Sequence, residues 1–136
     1  MITECAAVME NQNCDLIPKF LSIQNQLQIL HWQTHSYARH MAYGELYDSL
    51  VDLIDNFIEV YQGKYERVKV DENGVGIQVY NSDSKELQQW LAGVISFLTS
   101  ELPACLSPEE DTDLLNIRDE MLSAVNKLKY KLSFKK

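Results

Sequence analysis

The apolar positions of the chain recur every three or four residues in four separate segments, which is the spacing of helices that bury one face. The first segment begins near Asp15 and ends between Thr34 and Tyr37. Its apolar row consists of Leu16, Phe20, Ile23, Leu27 and Leu30. The pattern predicts four helices, of which this first one is typical of a helix bundle.

The second predicted helix runs from about Arg39 to Gln62, where Gly63 is expected to end it. Its apolar surface is unusually wide, because two apolar rows lie side by side. One row is Leu46, Leu50, Leu53, Phe57 and Val60, and the other is Tyr47, Val51, Ile54, Ile58 and Tyr61. So wide a surface predicts burial against more than the partners within one bundle, and therefore a homo-oligomer, at least a dimer.

End signals mark the third and fourth helices. The third is predicted to open at Asp83 and to end at Pro103. The fourth begins with Ser107-Pro108-Glu109-Glu110, which has the residue types of a capping box. The links within the first and the second helix pair are short, so each pair is predicted to be antiparallel.

A long crossover, residues 64–82, joins the two pairs. Its apolar residues alternate with polar ones on both sides of Asn73-Gly74: Val68, Val70, Val75, Ile77 and Val79. A two-residue turn at Asn73-Gly74 would place these side chains on one face, which predicts a small β-hairpin. The alternative is an extended strap whose two arms do not pair.

These elements predict one all-α domain over residues 1–136, a four-helix bundle with a long crossover between helices two and three. Two short connections around one long crossover are the ferritin-like wiring of such bundles. The composition, 46% hydrophobic and 24% charged, is ordinary for a globular domain. The three cysteines, Cys5, Cys14 and Cys105, show no motif spacing, so reduced thiols are expected rather than a disulfide framework.

Charge and hydropathy limit the partners. The net charge of −8 disfavours DNA, because phosphates would be repelled. No apolar run approaches the ~18 residues that span a bilayer, so no membrane partner is expected.

An acidic stripe follows the second helix. Asp48, Asp52, Asp55 and Glu59 lie at offsets of 0, 4, 7 and 11 residues, with no Lys or Arg between His40 and Lys64. Like charges one turn apart are destabilising when no counter-charge is near. The stripe indicates a cation site or an acidic docking face; the alternatives are a solvated polar face or neutralisation from another helix, by Arg118 or Lys127.

All three histidines, His31, His35 and His40, fall within ten residues. Imidazoles beside carboxylates of a neighbouring helix would form a nitrogen–oxygen site suited to Fe, Zn or Mn. Structural, hydrogen-bonded histidines are the alternative. The sequence has no Glu-x-x-His, so a di-iron oxidase site in the bundle core is not expected.

Tyrosines are numerous around the second helix, among them Tyr37, Tyr43 and Tyr47. Together with His35 they could line a ligand pocket or an interface, since phenols combine a large apolar area with a polar tip. Packing at the edge of the bundle is the alternative.

Two family resemblances come from local sequence. His31-Trp32 followed by Gly44-Glu45-Leu46-Tyr47-Asp48 resembles the starvation-induced mini-ferritins of the Dps group, over helices one and two. Nearly the whole chain resembles an uncharacterised Dps-like or ferritin-like family of large tailed bacteriophages. The segments that carry this second resemblance are Leu30–Thr34, Ser36–Ala38, Tyr47-Asp48, Tyr61–Lys64 and Asp111–Glu120.

The mini-ferritin resemblance implies a metal site at His31, Asp48 and Glu59. The family's second histidine position falls on Gly44, with His40 four residues earlier as a substitute, and its last glutamate position falls on Gly63. In mini-ferritins the site is shared across a two-fold interface, so His31 would come from one subunit and the carboxylates from another.

Two functions are expected from these observations. The first is a phage-encoded, divergent mini-ferritin in the cytoplasm of the infected host, which binds iron or another transition metal; its ligands would come from His31, His40, Asp48, Asp52 and Glu59. The second is a non-catalytic phage protein that sequesters a small signalling molecule or occupies a host defence protein. Its pocket or interface would include His35, Tyr37, Tyr43 and Tyr47.

Overall fold

A computed structural model describes residues 14–134, and this part of the chain contains four main helices and no strand. The predicted all-helical class is therefore confirmed. The helices are α1 (Leu16–Gln33), α2 (Tyr37–Lys64), α3 (Leu87–Ser96) and α4 (Thr112–Leu132).

Contacts between helix ends define how the helices are arranged. A three-residue link makes α1 and α2 an antiparallel hairpin. The Lys64–Asp113 ion pair joins the end of α2 to the start of α4, and the Lys19–Glu101 pair joins the start of α1 to the residues that follow α3. Both pairings are antiparallel, so α2 and α3 point the same way and the chain must return along the bundle between them.

The core confirms the apolar row predicted for α1, whereas only five of the ten apolar positions predicted for α2 are buried. All five members of the α1 row are buried, and Phe57 of α2 is completely inaccessible. Phe20 lies at the centre of an aromatic cluster, with ring centroids 5.4 Å from Phe57 and 5.6 Å from Phe97, both edge to face. Edge-to-face aromatic contacts of this kind add to the stabilisation from burial.

The predicted β-hairpin in the crossover is wrong. A turn does form, but one residue earlier, with Glu72 and Asn73 as its central residues. The Gly74 N–H closes it by donating to the Asp71 carbonyl at 3.1 Å, and Gly74 has a φ of 125°, which favours glycine. The two arms do not pair, however, and Val70 and Val79 are exposed. The crossover is an extended strap.

The two arms of the strap are held by different helices, which explains why they do not pair. Gln62 of α2 accepts a hydrogen bond from the Val68 N–H at 2.9 Å. Gln26 of α1 is fully buried; its amide donates to the Tyr80 carbonyl at 2.8 Å and accepts from the Tyr80 N–H at 2.6 Å. An isolated two-stranded hairpin is only marginally stable, so these side-chain anchors outweigh it.

Several predicted helix ends also differ from the structure. The third helix, α3, starts at Leu87 rather than at Asp83. Gly63 does not stop α2, which continues to Lys64. The predicted capping box does not begin α4: the Ser107 hydroxyl accepts from the Glu110 N–H at 3.3 Å within a separate turn, and α4 starts at Thr112. Polar contacts of this turn with α2, described below, hold it apart from the helix.

Pro103 does not terminate the third helix, which continues past α3 through a π-helical turn (Phe97–Glu101) into a short α-helical segment (Leu102–Ala104). Proline has no N–H to donate to a carbonyl in the preceding turn. The Leu98 carbonyl, five residues before it, instead accepts from the Arg118 guanidinium of α4 at 2.9 Å. A side chain of another helix thus supplies the missing donor.

The expectation of free thiols is wrong for two of the three cysteines. Cys14 and Cys105, 91 residues apart in sequence, form a disulfide with a Cα–Cα distance of 6.1 Å. The antiparallel packing of α1 against the α3 segment brings them together, which sequence spacing does not reveal. Cys5 lies outside the described residues.

Hydropathy along the helices is also informative. Between residues 14 and 134, no helix is at once long and apolar enough to cross a membrane.

Candidate functional site

Two of the predicted metal ligands, His31 and His40, meet at the α1–α2 turn. Their rings stack with centroids 3.8 Å apart and planes inclined by 17°. Both side chains are half-buried. The structure therefore brings these two predicted ligands together.

The histidine pair is held by two reciprocal hydrogen bonds. His31 Nδ1 donates to the His40 carbonyl and His40 Nδ1 donates to the His31 carbonyl, each at 2.7 Å. A carbonyl can only accept, so both Nδ1 atoms carry a proton. In a neutral imidazole of this tautomer the lone pair is on Nε2, which is the atom left for a ligand.

Local sequence explains this arrangement. The His31 carbonyl belongs to the last turn of α1, whose carbonyls have no intrahelical partner, and His40 supplies the donor. The turn that returns the chain is fixed by Ser36, whose hydroxyl caps α2 by accepting from the Arg39 N–H at 3.2 Å. A link of three residues, with this cap, places the first turn of α2 against the last turn of α1.

Gly44 makes room for the His31 ring. A Cβ at position 44 would lie 2.8 Å from Cε1 and 2.9 Å from Nδ1 of His31, which is closer than carbon contacts allow. The mini-ferritin resemblance placed a histidine ligand at this position. In this chain position 44 has a different role. The absence of a side chain there lets the His31 ring reach the His40 carbonyl.

The predicted carboxylate ligands do not join the histidines within one chain. Asp48 is exposed one turn beyond Gly44 on the same stripe of α2. Asp52 lies in the groove between α2 and α4, which Lys127 also lines. Among residues 14–134, no three His, Cys, Asp or Glu side chains are gathered closely enough to hold a metal ion.

Glu59, the last predicted ligand, is paired with another acid. The Asp55 carboxyl group raises the pKa of Glu59, first through a hydrogen bond between the two groups and then through charge repulsion. Both side chains are exposed on the outer side of α2.

Stacking limits how the histidine pair can bind an ion. A metal bonded to an imidazole nitrogen lies in the plane of the ring, at about 2.0–2.1 Å for zinc. Two nearly parallel rings 3.8 Å apart share no such point. The closed stack therefore offers one nitrogen to each ion, and further ligands must come from elsewhere.

The residues predicted for a ligand pocket separate into two groups. His35 and Tyr43 line one cavity of about 380 Å³, together with Arg39 and Lys131. Burial raises the pKa of Tyr43, and the charge of Arg39 offsets part of that rise. Tyr37 is 76% exposed, and Tyr47 packs against the core.

The sequence did not reveal a buried acidic residue, Asp111, that is 1% exposed between the end of α2 and the start of α4. It accepts hydrogen bonds from the Tyr65 hydroxyl at 2.6 Å and the Ser107 N–H at 2.8 Å. Lys64 lies 2.9 Å away. Burial alone would raise the pKa of Asp111, but these contacts outweigh burial and lower it. Apolar periodicity cannot signal such a residue.

Fold and site together define a helix-bundle protein with a histidine pair at one end of its first hairpin. The chain belongs to the family described as "Family of unknown function (DUF5856)", whose model matches residues 31–132. The matched residues begin at His31 and extend through α2, α3 and α4. Comparisons with curated proteins and with solved structures give no match.

Proposed function

We propose that this chain is the subunit of a divergent, mini-ferritin-like homo-oligomer that binds a transition metal such as iron. As the resemblance to the phage family implies, it would be phage-encoded and would act in the cytoplasm of the infected bacterium. The observation that carries the proposal is the histidine pair, in which hydrogen bonds engage both Nδ1 atoms and leave both Nε2 atoms for coordination.

The remaining ligands would be carboxylates. Asp48 lies closest in register to Gly44 and the histidine pair, and Asp52 and Glu59 are also exposed on α2. Exposed carboxylates can reach an ion held by the histidine pair of a second subunit, as the mini-ferritin resemblance implies. One imidazole nitrogen with carboxylate oxygens suits Fe, Mn or Zn.

The helix connections add support. Two short links and one long crossover between parallel helices are the connections of ferritin-like bundles. We propose metal binding and not catalytic iron oxidation, because two ligand positions of the mini-ferritins fall on Gly44 and Gly63.

The test is metal binding by the purified, metal-free full chain. Fe(II) under anaerobic conditions, Mn(II) and Zn(II) would be titrated by calorimetry, and the bound metal counted by elemental analysis. His35→Ala is the matched control, because His35 is an exposed histidine near the same turn but outside the stack. We expect His31→Ala and Asp48→Asn to weaken binding at least tenfold and His35→Ala to leave it unchanged.

Asp48→Asn keeps the proposal falsifiable if His31→Ala destabilises the turn, because Asp48 is exposed. Native mass spectrometry of the same samples would report the subunit count. A protein that takes up none of the three metals, or that binds them equally well in all variants, contradicts the proposal.

A second function is favoured by the cavity that His35 and Tyr43 share with Arg39 and Lys131. Asp83 also lines this cavity and Lys131 is paired with Glu45 at 2.6 Å, so Arg39 is the cation that favours a small anionic ligand. This supports the sequestration of a signalling nucleotide by a phage protein. A thermal-shift screen with mononucleotides and cyclic dinucleotides tests it, and Arg39→Gln should abolish any shift.

A further inference from the structure

A groove of about 510 Å³ lies beside the crossover strap, against α3 and the N-terminal half of α1, at the end of α1 opposite the histidine pair. Its walls include three aromatic side chains, Tyr80 of the strap, Trp90 of α3 and Phe97 of the π-helical turn. Two hydrogen bonds between the Gln26 amide and the Tyr80 backbone attach the strap to α1 here. The groove has the volume and the aromatic lining of a small-molecule site.

Two glycines keep the groove open. A Cβ placed at Gly76 of the strap or at Gly93 of α3 would meet no atom within 4 Å. Glycine is unfavourable inside a helix, so Gly93 gives up helix stability at a position where a larger side chain would fit. The larger side chain would occupy the groove.

The groove also contains polar side-chain groups that are available to bond a ligand. The indole N–H of Trp90, the hydroxyl of Tyr80 and the side-chain amides of Gln78 and Gln89 line it. None of these groups has a hydrogen-bond partner among residues 14–134, and all remain accessible. They offer donors and acceptors beside flat aromatic surfaces.

The charges at the rim determine the charge of the ligand. The charged residues that line the groove are Asp15, Lys19 and Glu101, and Lys19 lies 3.9 Å from Glu101. Their sum is one negative charge, with the single cation already beside an acid. A phosphate group would be repelled, which disfavours an anionic ligand.

We propose that this groove binds an uncharged planar heterocycle, namely the base of a nucleoside. The base stacks on Trp90 or Tyr80, and the amides of Gln78 and Gln89 bond to its edge. Aromatic side chains stabilise stacked bases, and amides supply the paired donor and acceptor that base edges require. This site is independent of the metal proposal and of the cationic cavity at Arg39.

The experiment uses tryptophan fluorescence of the full chain. The only other tryptophan, Trp32, is 69% exposed, and a Trp32→Phe background leaves Trp90 as the sole reporter. Titration with adenosine, guanosine, cytidine and uridine should give saturable quenching by at least one nucleoside. The corresponding 5′-monophosphate should bind at least tenfold more weakly.

Matched glycine variants test the location of the site. Gly93→Leu fills the groove, whereas Gly63→Leu places the same side chain at another open helical glycine, outside it. We expect Gly93→Leu to weaken binding at least tenfold and Gly63→Leu to leave it unchanged, with both variants retaining the helical circular dichroism of the parent. Circular dichroism thus distinguishes a filled groove from a lost fold.

Three outcomes overturn the proposal. The first is the absence of saturable quenching by any nucleoside at millimolar concentration. The second is unchanged binding in a folded Gly93→Leu variant. The third is an affinity for the monophosphate equal to or higher than that for the nucleoside, because the acidic rim should repel the phosphate group.

Discussion

At the scale of single residues, the size of one position determines whether the histidine pair forms. The His31 ring lies against the α2 backbone at Gly44, where any side chain would overlap it. Formation of the histidine pair therefore requires Gly44 as well as the two histidines. The spacing of the histidines and carboxylates in the sequence does not reveal this dependence on Gly44.

Gly44→Ala is expected to lower stability. The added methyl group would lie 2.8 Å from His31, and such overpacking costs about 1–3 kcal/mol, against which better helix propensity returns up to about 1 kcal/mol. We expect a net loss of about 1–2 kcal/mol in urea unfolding. Gly63→Ala is the control: with open space around it, this change should stabilise the protein, and equal stability of the two variants would contradict the expectation.

Asp111→Asn is expected to remove a pH-dependent contribution to stability. Because the folded-state pKa of Asp111 is lowered, its contribution is present above the unfolded value of about 3.9 and is lost as pH falls through the folded value. We expect the variant to lose about 1.5–3 kcal/mol at pH 7, the range of hydrogen bonds to a charged group. It should also show a flatter stability profile below about pH 4.

The control for this prediction is Asp113→Asn, which changes the exposed partner of the same lysine. Exposed ion pairs contribute about 0–1 kcal/mol, so this variant should remain close to the parent. Urea unfolding of the three proteins between pH 3 and pH 7 makes the comparison. Parallel stability profiles for Asp111→Asn and the parent would show that the buried carboxylate is not the source of the pH-dependent stability.

At the scale of elements, helix identity was predictable because it depends on local spacing, whereas several ends and the strap were not. The apolar row of α1 predicted its boundaries to within a residue or two. The second arm of the strap depends on Gln26, a polar residue of α1 whose partner Tyr80 lies 54 residues further along the sequence. No local pattern contains that information.

A contact with another helix also accounts for the helix at Pro103. Proline usually ends a helix, and here the next helix supplies Arg118 to the carbonyl that Pro103 leaves open. We expect Arg118→Met to cost about 1.5–3 kcal/mol in the parent. It should cost clearly less in a Pro103→Ala background, in which the restored N–H can bond a carbonyl of the preceding turn.

A double-mutant cycle over Arg118 and Pro103 measures this coupling by urea unfolding. Strictly additive effects would show that Arg118 contributes independently of the proline. The exposed pair that Arg118 also makes with Asp119 is tested separately by Asp119→Asn, which should have little effect.

At the scale of the whole molecule, the candidate site could be predicted only in part. The nearness of His31 and His40 follows from a short link between two helices, which the sequence indicates. Their stacking, the role of Gly44 and the separation of Asp52 into the α2–α4 groove follow from the packing of complete helices. The pairing of Cys14 with Cys105 could not be predicted from the sequence either, because it depends on how the helices pack in the bundle.

Reduction of the Cys14–Cys105 disulfide is expected to lower stability strongly. Releasing a cross-link across 91 residues gives the unfolded chain entropy worth about 4–5 kcal/mol in the loop-closure treatment, which is an upper range in practice. We expect a lower melting temperature in the presence of a reductant and in Cys14→Ser. Cys5→Ser is the control and should melt like the parent under oxidising conditions.

The disulfide also divides the chain mechanically. It encloses α1, α2 and α3 in a covalent loop, whereas α4 lies beyond Cys105. If the oxidised protein were stretched between its two ends, only the residues outside the loop could extend. About 300 Å of contour length would stay hidden, at roughly 3.3–3.6 Å per residue. Force would therefore peel α4 from a tethered three-helix remnant, and a thiol reagent would release the rest.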